Sequence, residues 1–224
     1  MSKLNKQFIF NNVKFSYKHA HPFELSIPYL ELGIDKPILI TGGNASGKTT
    51  LLKLCSGLLK PTDGNIFFGS EPVFPILKRN ANLVFVHQNP YIFKGTVYTN
   101  LITAITLSNH DKNRRTYLIE KTIEMFKLEY ILHKKHFELT AGERQKTALA
   151  RAWAIEPDAM LLDEPSTALD ADVRALLVQA INTAVSSGTA IMIASHDNEL
   201  KNNISGIAIA LCNGHLQSFS DKGA

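Results

Sequence analysis

The residues with the clearest chemical purpose form a glycine-rich segment, Gly42-Gly43-Asn44-Ala45-Ser46-Gly47-Lys48-Thr49. This segment fits the pattern G-x-x-x-x-G-K-[ST] at every specified position. In such a loop the backbone N–H groups turn inward around phosphate oxygens, and the start of the following helix adds positive potential. Lys48 is expected to reach the β- and γ-phosphates, and the Thr49 hydroxyl to bind Mg²⁺. We therefore predict a nucleoside triphosphate site that extends to Thr50, the alternative being a chance glycine-rich turn between a strand and a helix.

Two adjacent acids end a second apolar segment, with the sequence AMLLDE at 159–164. Asp163 is expected to hold Mg²⁺ through its water shell, as the aspartate of other phosphate-loop enzymes does. Glu164, one residue further on, is then placed to polarise an attacking water as general base. Acids also commonly end strands at a protein surface, so this pair alone does not establish a catalytic site.

The segment just upstream of these acids, 139–145 (LTAGERQ), resembles the LSGGQ signature of ABC ATPases. Residues 166–170 (STALD) look like the D-loop of the same family. Three single positions also match the family. Tyr17 corresponds to the aromatic residue that stacks on adenine, Gln88 to the Q-loop glutamine and His196 to the switch histidine. The elements follow the order of the family, and the resemblance covers essentially the whole chain. It implies an ATPase that uses ATP with Mg²⁺.

The resemblance also implies how these residues would work together. In ABC ATPases the nucleotide lies between the phosphate loop of one copy and the signature of a second copy, so a head-to-tail dimer, expected here to be a homodimer, would enclose two ATP molecules. Glu164 would activate water, and His196 would contact the γ-phosphate. Gln88 would sense the Mg²⁺ held by Thr49 and Asp163. The remaining expected nucleotide contacts across the dimer are Thr140, Ala141, Gly142, Glu143 and Asp170.

The signature departs from the family pattern at three positions. Thr140, Ala141 and Glu143 stand where Ser, Gly and Gln are usual. The spacing T-x-x-E is also a capping box, which predicts that a helix over 141–155 begins here. The two interpretations are compatible, because a capped helix start with free N–H groups is itself an anion site. We expect ATP to be enclosed, whereas the pattern does not determine the rate.

Two of the matched residues have simpler explanations when taken alone. A histidine after an apolar strand is often a surface or capping residue, and a tyrosine that ends an amphipathic strand is commonly a packing residue. The functional roles of His196 and Tyr17 therefore depend on their place in the family pattern.

The elements that must position these residues alternate along the chain. Short apolar segments predict strands at 37–41, 83–87, 159–163, 189–195 and 206–212. Helical spacing follows the phosphate loop at Leu51, Leu54, Cys55 and Leu58, and recurs over 141–155 and 173–184. Such alternation predicts an α/β fold with a mainly parallel sheet. Residues 7–40 show the alternation of an N-terminal antiparallel β subdomain, and Asn213-Gly214 predicts a hairpin turn.

The chain is expected to form a single ABC ATPase domain over 1–224. The α/β core and its β subdomain are expected at about 1–90 and 139–224. The more polar, helix-prone residues 91–138 are expected to form an inserted helical subdomain.

Composition limits the partners. The 224 residues are 45% hydrophobic and 20% charged, and the longest apolar runs fall short of the roughly 20 residues of a membrane span. The net charge of +4 comes with short, separated basic clusters at 112–115 and 134–136, which favour solvated surface over a nucleic-acid track. We expect no nucleic-acid partner.

The two cysteines, Cys55 and Cys212, lie in apolar stretches and are expected to be buried.

These features favour the motor of a transporter whose membrane pathway belongs to other chains, and we expect an importer. We expect a cytoplasmic protein held at the inner face of the membrane by permease subunits, with a substrate-binding protein as a further candidate partner. Tyr91 and Phe93 either contact the permease or pack in the helical core. The surrounding loops weakly resemble tungstate- or phosphate-type importers. The alternatives are a soluble ABC ATPase acting on DNA or ribosomes, and a phosphotransferase of another phosphate-loop family, in which LTAGERQ would have no purpose.

Overall fold

A computed structural model describes residues 7–17, 23–76, 81–108 and 110–222. Within these residues, ten strands join in one sheet in the order β5-β4-β1-β2-β10-β9-β3-β8-β7-β6. Their bounds are β1 Gln7–Ser16, β2 Glu24–Gly33, β3 Ile38–Thr41, β4 Asp63–Phe68, β5 Glu71–Pro72, β6 Leu83–Val86, β7 Ala159–Asp163, β8 Ala190–Ala194, β9 Gly206–Cys212 and β10 His215–Lys222.

One half of the sheet is parallel, as the sequence predicts. Strands β9, β3, β8, β7 and β6 run side by side in the same direction. All five residues of β7 and of β8 are buried, because helices cover both faces of this part of the sheet. The carboxyl ends of these strands share one edge, with Asp163 in register with Ala194. This edge therefore collects the chemical residues that follow β3, β6, β7 and β8.

The strands β1, β2, β4 and β5 at the other end of the sheet are antiparallel, and β10 joins them to the parallel half by pairing in parallel with β2. β1 pairs with β2 and with β4, and β4 pairs with the short strand β5. The sequence analysis did not identify β4 or β5. The hairpin between β9 and β10 turns at Asn213 and Gly214 as predicted, with φ angles of 46° and 79° that match a type I′ turn.

Six α-helices and one short 3-10 helix are found among the described residues. They are α1 Lys48–Cys55, α2 Val97–Thr106, α3 Lys112–Met125, the 3-10 helix Glu129–Ile131, α4 Ala141–Ala154, α5 Ala171–Ser186 and α6 Asn198–Asn202. The helix predicted over 141–155 is confirmed to within one residue. The apolar positions predicted for α1 are wrong at the last one, Leu58. The helix ends at Cys55, and Leu58 is 53% exposed.

The region 91–138 contains α2, α3 and the 3-10 helix, and its described residues form no strand. Its apolar side chains are divided between two clusters, and Ile105, Leu118 and Ile119 form the smaller one with Ala154 of α4. Val97, Leu101 and Phe126 belong to one continuous cluster with Leu162 and Ile191 of the sheet. The helical region is thus packed directly onto one face of the α/β core, and its status as a subdomain remains an interpretation.

The two cysteines differ in their surroundings. Cys55 is buried in the second apolar cluster, as expected. Cys212 is exposed, so its predicted burial is wrong. It is the last residue of β9, where the alternation of side chains turns it away from the core before the hairpin. No helix of the described residues is both long and apolar enough to cross a membrane.

Candidate nucleotide site

The phosphate loop, residues 42–47, connects the end of β3 to the first residue of α1. Gly42, Ala45 and Gly47 have φ angles of 145°, 59° and 106°, and these positive values curl the loop back on itself. A Cβ atom on Gly42 would lie 2.3 Å from the carbonyl oxygen of Leu211, so only glycine fits where the loop passes β9. The backbone thus forms a concave cradle of the kind that binds phosphate oxygens.

Lys48 is buried beneath this loop. Its ammonium group donates to the carbonyl oxygens of Gly42 and Gly43, at 2.9 and 2.8 Å. Burial lowers the pKa of Lys48, and the nearby carboxylates of Glu164 and Asp163 only partly offset this effect. The ammonium therefore rests on neutral carbonyls in the loop that is expected to surround the phosphates.

Ser46 supplies an unused polar atom in the loop. Its hydroxyl oxygen is buried and has no hydrogen-bond partner among the described residues. Its carbonyl accepts from the Gly214 N–H at 3.0 Å, so the hairpin turn supports the loop from behind. The sequence analysis recognised both segments and did not predict that they touch.

Asp163 is joined to the start of α1. The Thr49 hydroxyl donates to its two carboxylate oxygens, at 3.0 and 2.9 Å. Burial raises the pKa of Asp163, while the Thr49 hydrogen bond and the nearby His87 act in the opposite direction. A 3% exposed carboxylate bonded to a neutral hydroxyl is a poorly compensated charge, and both groups are hard oxygen ligands. These two residues therefore fit a bound Mg²⁺.

Glu164 has a strained backbone and a firmly held side chain. Its φ angle of 48° lies in the left-handed region, which is unusual for a residue with a side chain. The backbone N–H of His196 donates to both carboxylate oxygens, at 3.0 and 3.1 Å, and the Ser195 hydroxyl donates at 3.2 Å. The His196 ring nitrogen Nε2 lies 3.6 Å from Glu164 Oε1. The structure thus brings together Glu164, the predicted general base, and His196, the residue predicted to contact the γ-phosphate.

Tyr17 borders a cleft of about 320 Å³ beside the phosphate loop. The cleft is completed by Phe23 and the residues from Ala45 to Thr50. The Tyr17 hydroxyl is 3.2 Å from the Thr50 hydroxyl oxygen, and its ring meets Phe15 edge-on at 4.8 Å. Because the ring is 41% exposed, it is not simply a core residue. Sequence reasoning missed Phe23, whose ring lies against Gly47.

The signature residues form the predicted capping box at the start of α4. The Thr140 hydroxyl accepts from the Glu143 N–H at 3.2 Å, and the Glu143 carboxylate accepts from the Thr140 N–H at 3.0 Å. Gly142 is required by space, since a Cβ atom there would lie 2.7 Å from the carbonyl oxygen of Ala168. Among the described residues, no hydrogen bond or ion pair joins 140–143 to the phosphate loop.

The segment after Glu164 is tied to the segment after β8. Asp170 caps α5 by accepting from the Val173 N–H at 2.9 Å. The Ser166 hydroxyl donates to Asp197, the neighbour of His196, at 2.8 Å. The D-loop and the switch histidine thus belong to one hydrogen-bonded unit, which motif matching alone did not reveal.

Gln88 lies two residues beyond β6 and is exposed. It forms no hydrogen bond within the described part of the chain, so its contact with Mg²⁺ stays a prediction.

Beyond Gln88, a groove of about 450 Å³ lies between β6, α2 and α4. Tyr91 and Phe93, which are 69% and 38% exposed, line this groove and do not pack in the helical core. The Arg151 guanidinium lies 4.4 Å above the Phe93 ring and donates to the Tyr91 carbonyl.

Comparison with known proteins points in the same direction. Residues 29–167 match the protein family described as "ABC transporter". A sulfate/thiosulfate import ATP-binding protein of Mesostigma viride is 33% identical over 194 residues, which cover 85% of this chain and 55% of that protein. A putative ABC transporter ATP-binding protein of Caldanaerobacter subterraneus is 30% identical over 219 residues, covering 95% of this chain and 90% of that protein. The chain thus spans about half the length of the sulfate importer protein and most of the second relative.

Solved structures share the fold. A dimeric ATP-binding cassette in a post-hydrolysis state, bound to ADP and Pi, superposes with a TM-score of 0.82 at 22% identity, covering 97% of this chain and 99% of that one. The ATP-binding subunit of an ABC transporter superposes with a TM-score of 0.84 at 19% identity, covering 96% and 89%.

Proposed function

The chain belongs to the ABC transporter family, and from this premise we propose that it is the subunit that binds and hydrolyses ATP to drive transport through separate membrane subunits. The observation that carries the proposal is the convergence at one sheet edge: Thr49 bonds to Asp163, and the next residue, Glu164, is held by His196. This arrangement supports the proposal that a phosphate cradle, a Mg²⁺-binding pair and a general base lie side by side.

The reaction would proceed by attack of a water molecule on the γ-phosphorus and departure of ADP. The Glu164 carboxylate would accept the proton of that water, and its hydrogen bonds to the His196 backbone and Ser195 fix its direction. Lys48 would move its donors from the loop carbonyls to phosphate oxygens. Mg²⁺, when bound by Thr49 and Asp163 with Gln88, supplies positive charge that offsets the charge of the phosphate oxygens. His196, whose ring lies beside Glu164, would contact the γ-phosphate.

A second copy of the chain would complete each site. Within the described part of the chain, no hydrogen bond or ion pair joins the signature residues 140–143 to the phosphate loop, and these residues form the start of a capped helix. We propose that they close over the γ-phosphate bound by the partner. The active unit would then be a head-to-tail homodimer with two ATP molecules, and Asp170 would act at the interface between the copies.

The groove beside Tyr91 and Phe93 is the proposed contact with the membrane subunits. It is largely apolar and directly follows Gln88, so its occupant would touch the same loop that senses Mg²⁺. The chain would then lie at the cytoplasmic face of the membrane. The import named for several relatives supports an importer, with a substrate-binding protein as a possible further partner. The membrane and binding subunits would select the cargo, and the tungstate or phosphate resemblance stays a prediction.

The test is purification of the tagged chain in mild detergent from its native membranes, with identification of its partners by mass spectrometry. A stoichiometric membrane protein with several spans is expected, and Phe93→Glu should reduce its recovery. Tyr117→Ala, which changes an exposed aromatic residue on α3, is the matched control. Recovery only from the soluble fraction, together with ribosomes or DNA, would leave the ATPase chemistry intact and overturn the transport function.

A further inference from the structure

Lys134 forms an ion pair with the residue that replaces the usual glutamine of the signature. Its ammonium nitrogen lies 2.7 Å from Glu143 Oε1, and the other carboxylate oxygen of Glu143 accepts from the Thr140 N–H at 3.0 Å. The Lys134 side chain is 38% exposed and the Glu143 side chain 11%. Both oxygens of this carboxylate are therefore engaged at the start of α4.

The position of Glu143 creates an electrostatic problem for the proposed function. The start of α4 is proposed to receive the γ-phosphate of the partner's ATP, which is strongly anionic. A carboxylate in the first turn of that helix would repel the phosphate and offset the positive potential of the helix start. An adjacent cation removes most of this repulsion, and Lys134 is the cation that the structure places on Glu143.

The two ends of the capping box leave a defined surface for the phosphate. The Glu143 N–H is taken by the Thr140 hydroxyl, and the Arg144 N–H by the Thr140 carbonyl. The N–H groups of Ala141 and Gly142 have no hydrogen-bond acceptor among the described residues. If Glu143 lost Lys134, its carboxylate would be free to turn toward these donors, where it would compete with the phosphate.

Lys134 is itself held in place by backbone hydrogen bonds. Its carbonyl accepts from the Val97 N–H at 3.1 Å, and its N–H donates to the Ile131 carbonyl at 2.9 Å. One residue further, Lys135 forms a β-bridge with Thr96. The backbone of Lys134 is thus held in place by hydrogen bonds, and this keeps its ammonium group close to Glu143.

We propose that Lys134 is a positioning residue for ATP-dependent dimerisation: it neutralises Glu143 and keeps its carboxylate on the Thr140 N–H, so that the start of α4 can accept the γ-phosphate bound by a second copy. This inference rests on the proposed function. Lys134 acts through Glu143 and is not expected to touch ATP in its own copy, where the phosphate loop and Tyr17 are proposed to hold the nucleotide.

The test is a double-mutant cycle in a Glu164→Gln background, which should accumulate the ATP-bound dimer. The dimer fraction is measured against ATP concentration by size-exclusion chromatography with light scattering. Lys134→Gln should raise the ATP concentration for half dimerisation about tenfold, whereas Lys134→Gln with Glu143→Gln should return to the value of Glu143→Gln alone. Lys135→Gln is the matched control, because that ammonium lies 5.9 Å from the Phe137 ring and not on the signature.

Binding of a fluorescent ATP analogue to the monomer separates the possible results. It should be unchanged by Lys134→Gln, and thermal melting should verify that each variant is folded. If the parent binds no ATP or forms no ATP-dependent dimer, the proposed function fails. If the parent dimerises with ATP and Lys134→Gln does so equally well, or if Glu143→Gln does not rescue it, the function stands and the role of Lys134 is overturned.

Discussion

The Thr49 hydroxyl donates to both carboxylate oxygens of Asp163, although the two residues are 114 positions apart in the chain. This bond joins the first turn of α1 to the last residue of β7, so the phosphate loop and the acid-bearing strand form one rigid site. It also places a buried negative charge beside a group that only partly compensates it.

Replacing Asp163 should therefore separate stability from activity. Because burial raises the pKa of Asp163, its ionised form makes the folded protein less stable at neutral pH, and this loss shrinks as the pH falls through the raised pKa. Without nucleotide, Asp163→Asn should raise the melting temperature at pH 7 by about 2–4 °C. The gain should diminish at acid pH, while ATPase activity is lost. Thermal melting at several pH values measures this, with the exposed Asp35→Asn as control; an unchanged or lower melting temperature at pH 7 would contradict it.

Glu164→Gln should stop hydrolysis and leave ATP binding intact. The amide keeps the shape of the side chain and cannot accept the proton of the attacking water. Turnover should fall by about 10²–10⁴-fold, and an ATP-bound dimer should accumulate. Size-exclusion chromatography with ATP and a phosphate-release assay measure the two effects. Glu156→Gln, at the distant ion pair with Arg114, should behave as wild type. Normal hydrolysis together with an unchanged monomer would refute the assignment of Glu164 as base.

Tyr17 is expected to supply a flat surface for adenine. Its ring borders the cleft beside the phosphate loop and is partly exposed. Tyr17→Ala should weaken ATP binding about tenfold, through the loss of one stacking contact. Tyr17→Phe should bind nearly as wild type, because the ring remains and only the contact with the Thr50 hydroxyl is lost. Titration with a fluorescent ATP analogue decides the matter. Equal affinity in all three proteins would mean that Tyr17 is a packing residue.

Gly142 should not tolerate a methyl group. The added Cβ atom would lie 2.7 Å from the Ala168 carbonyl oxygen, so the signature turn and the D-loop would have to separate. Gly142→Ala should lower the free energy of unfolding by about 1–3 kcal/mol and weaken ATP-dependent dimerisation. Gly43→Ala is the control for stability, since a Cβ atom there meets nothing within 4 Å. Equal denaturant midpoints for the two variants would show that the close approach of residue 142 to the Ala168 carbonyl does not limit stability.

The local sequence pattern was sufficient to predict those elements that are determined by a few neighbouring residues. The phosphate loop, the α4 capping box, the Asn213-Gly214 turn and the buried parallel strands all carry their physical reason in adjacent side chains. The strands β4 and β5 were missed because the pairing of β4 with β1, and of β5 with β4, supplies much of what makes them strands. Such pairing is not visible in a local window.

The parts of the site that the sequence could not predict are contacts between distant segments. Nothing near Glu164 in sequence indicates that the His196 backbone holds its carboxylate, or that its own backbone adopts a positive φ angle. The same holds for Lys134 on Glu143. Cys212 was misplaced because an apolar stretch indicates a strand but not which of its side chains faces out at the last position.

The Ser166–Asp197 hydrogen bond, which joins the D-loop to the residue after the switch histidine, has a thermodynamic consequence. If a γ-phosphate stabilises one position of His196 and a second copy stabilises one position of the D-loop, the bond makes these preferences dependent on each other. Linkage then requires that ATP strengthens dimerisation by the same factor as dimerisation strengthens ATP binding. Breaking that bond with Ser166→Ala would remove this contribution to the coupling and leave only the direct one, in which the signature of one copy contacts the γ-phosphate bound by the other.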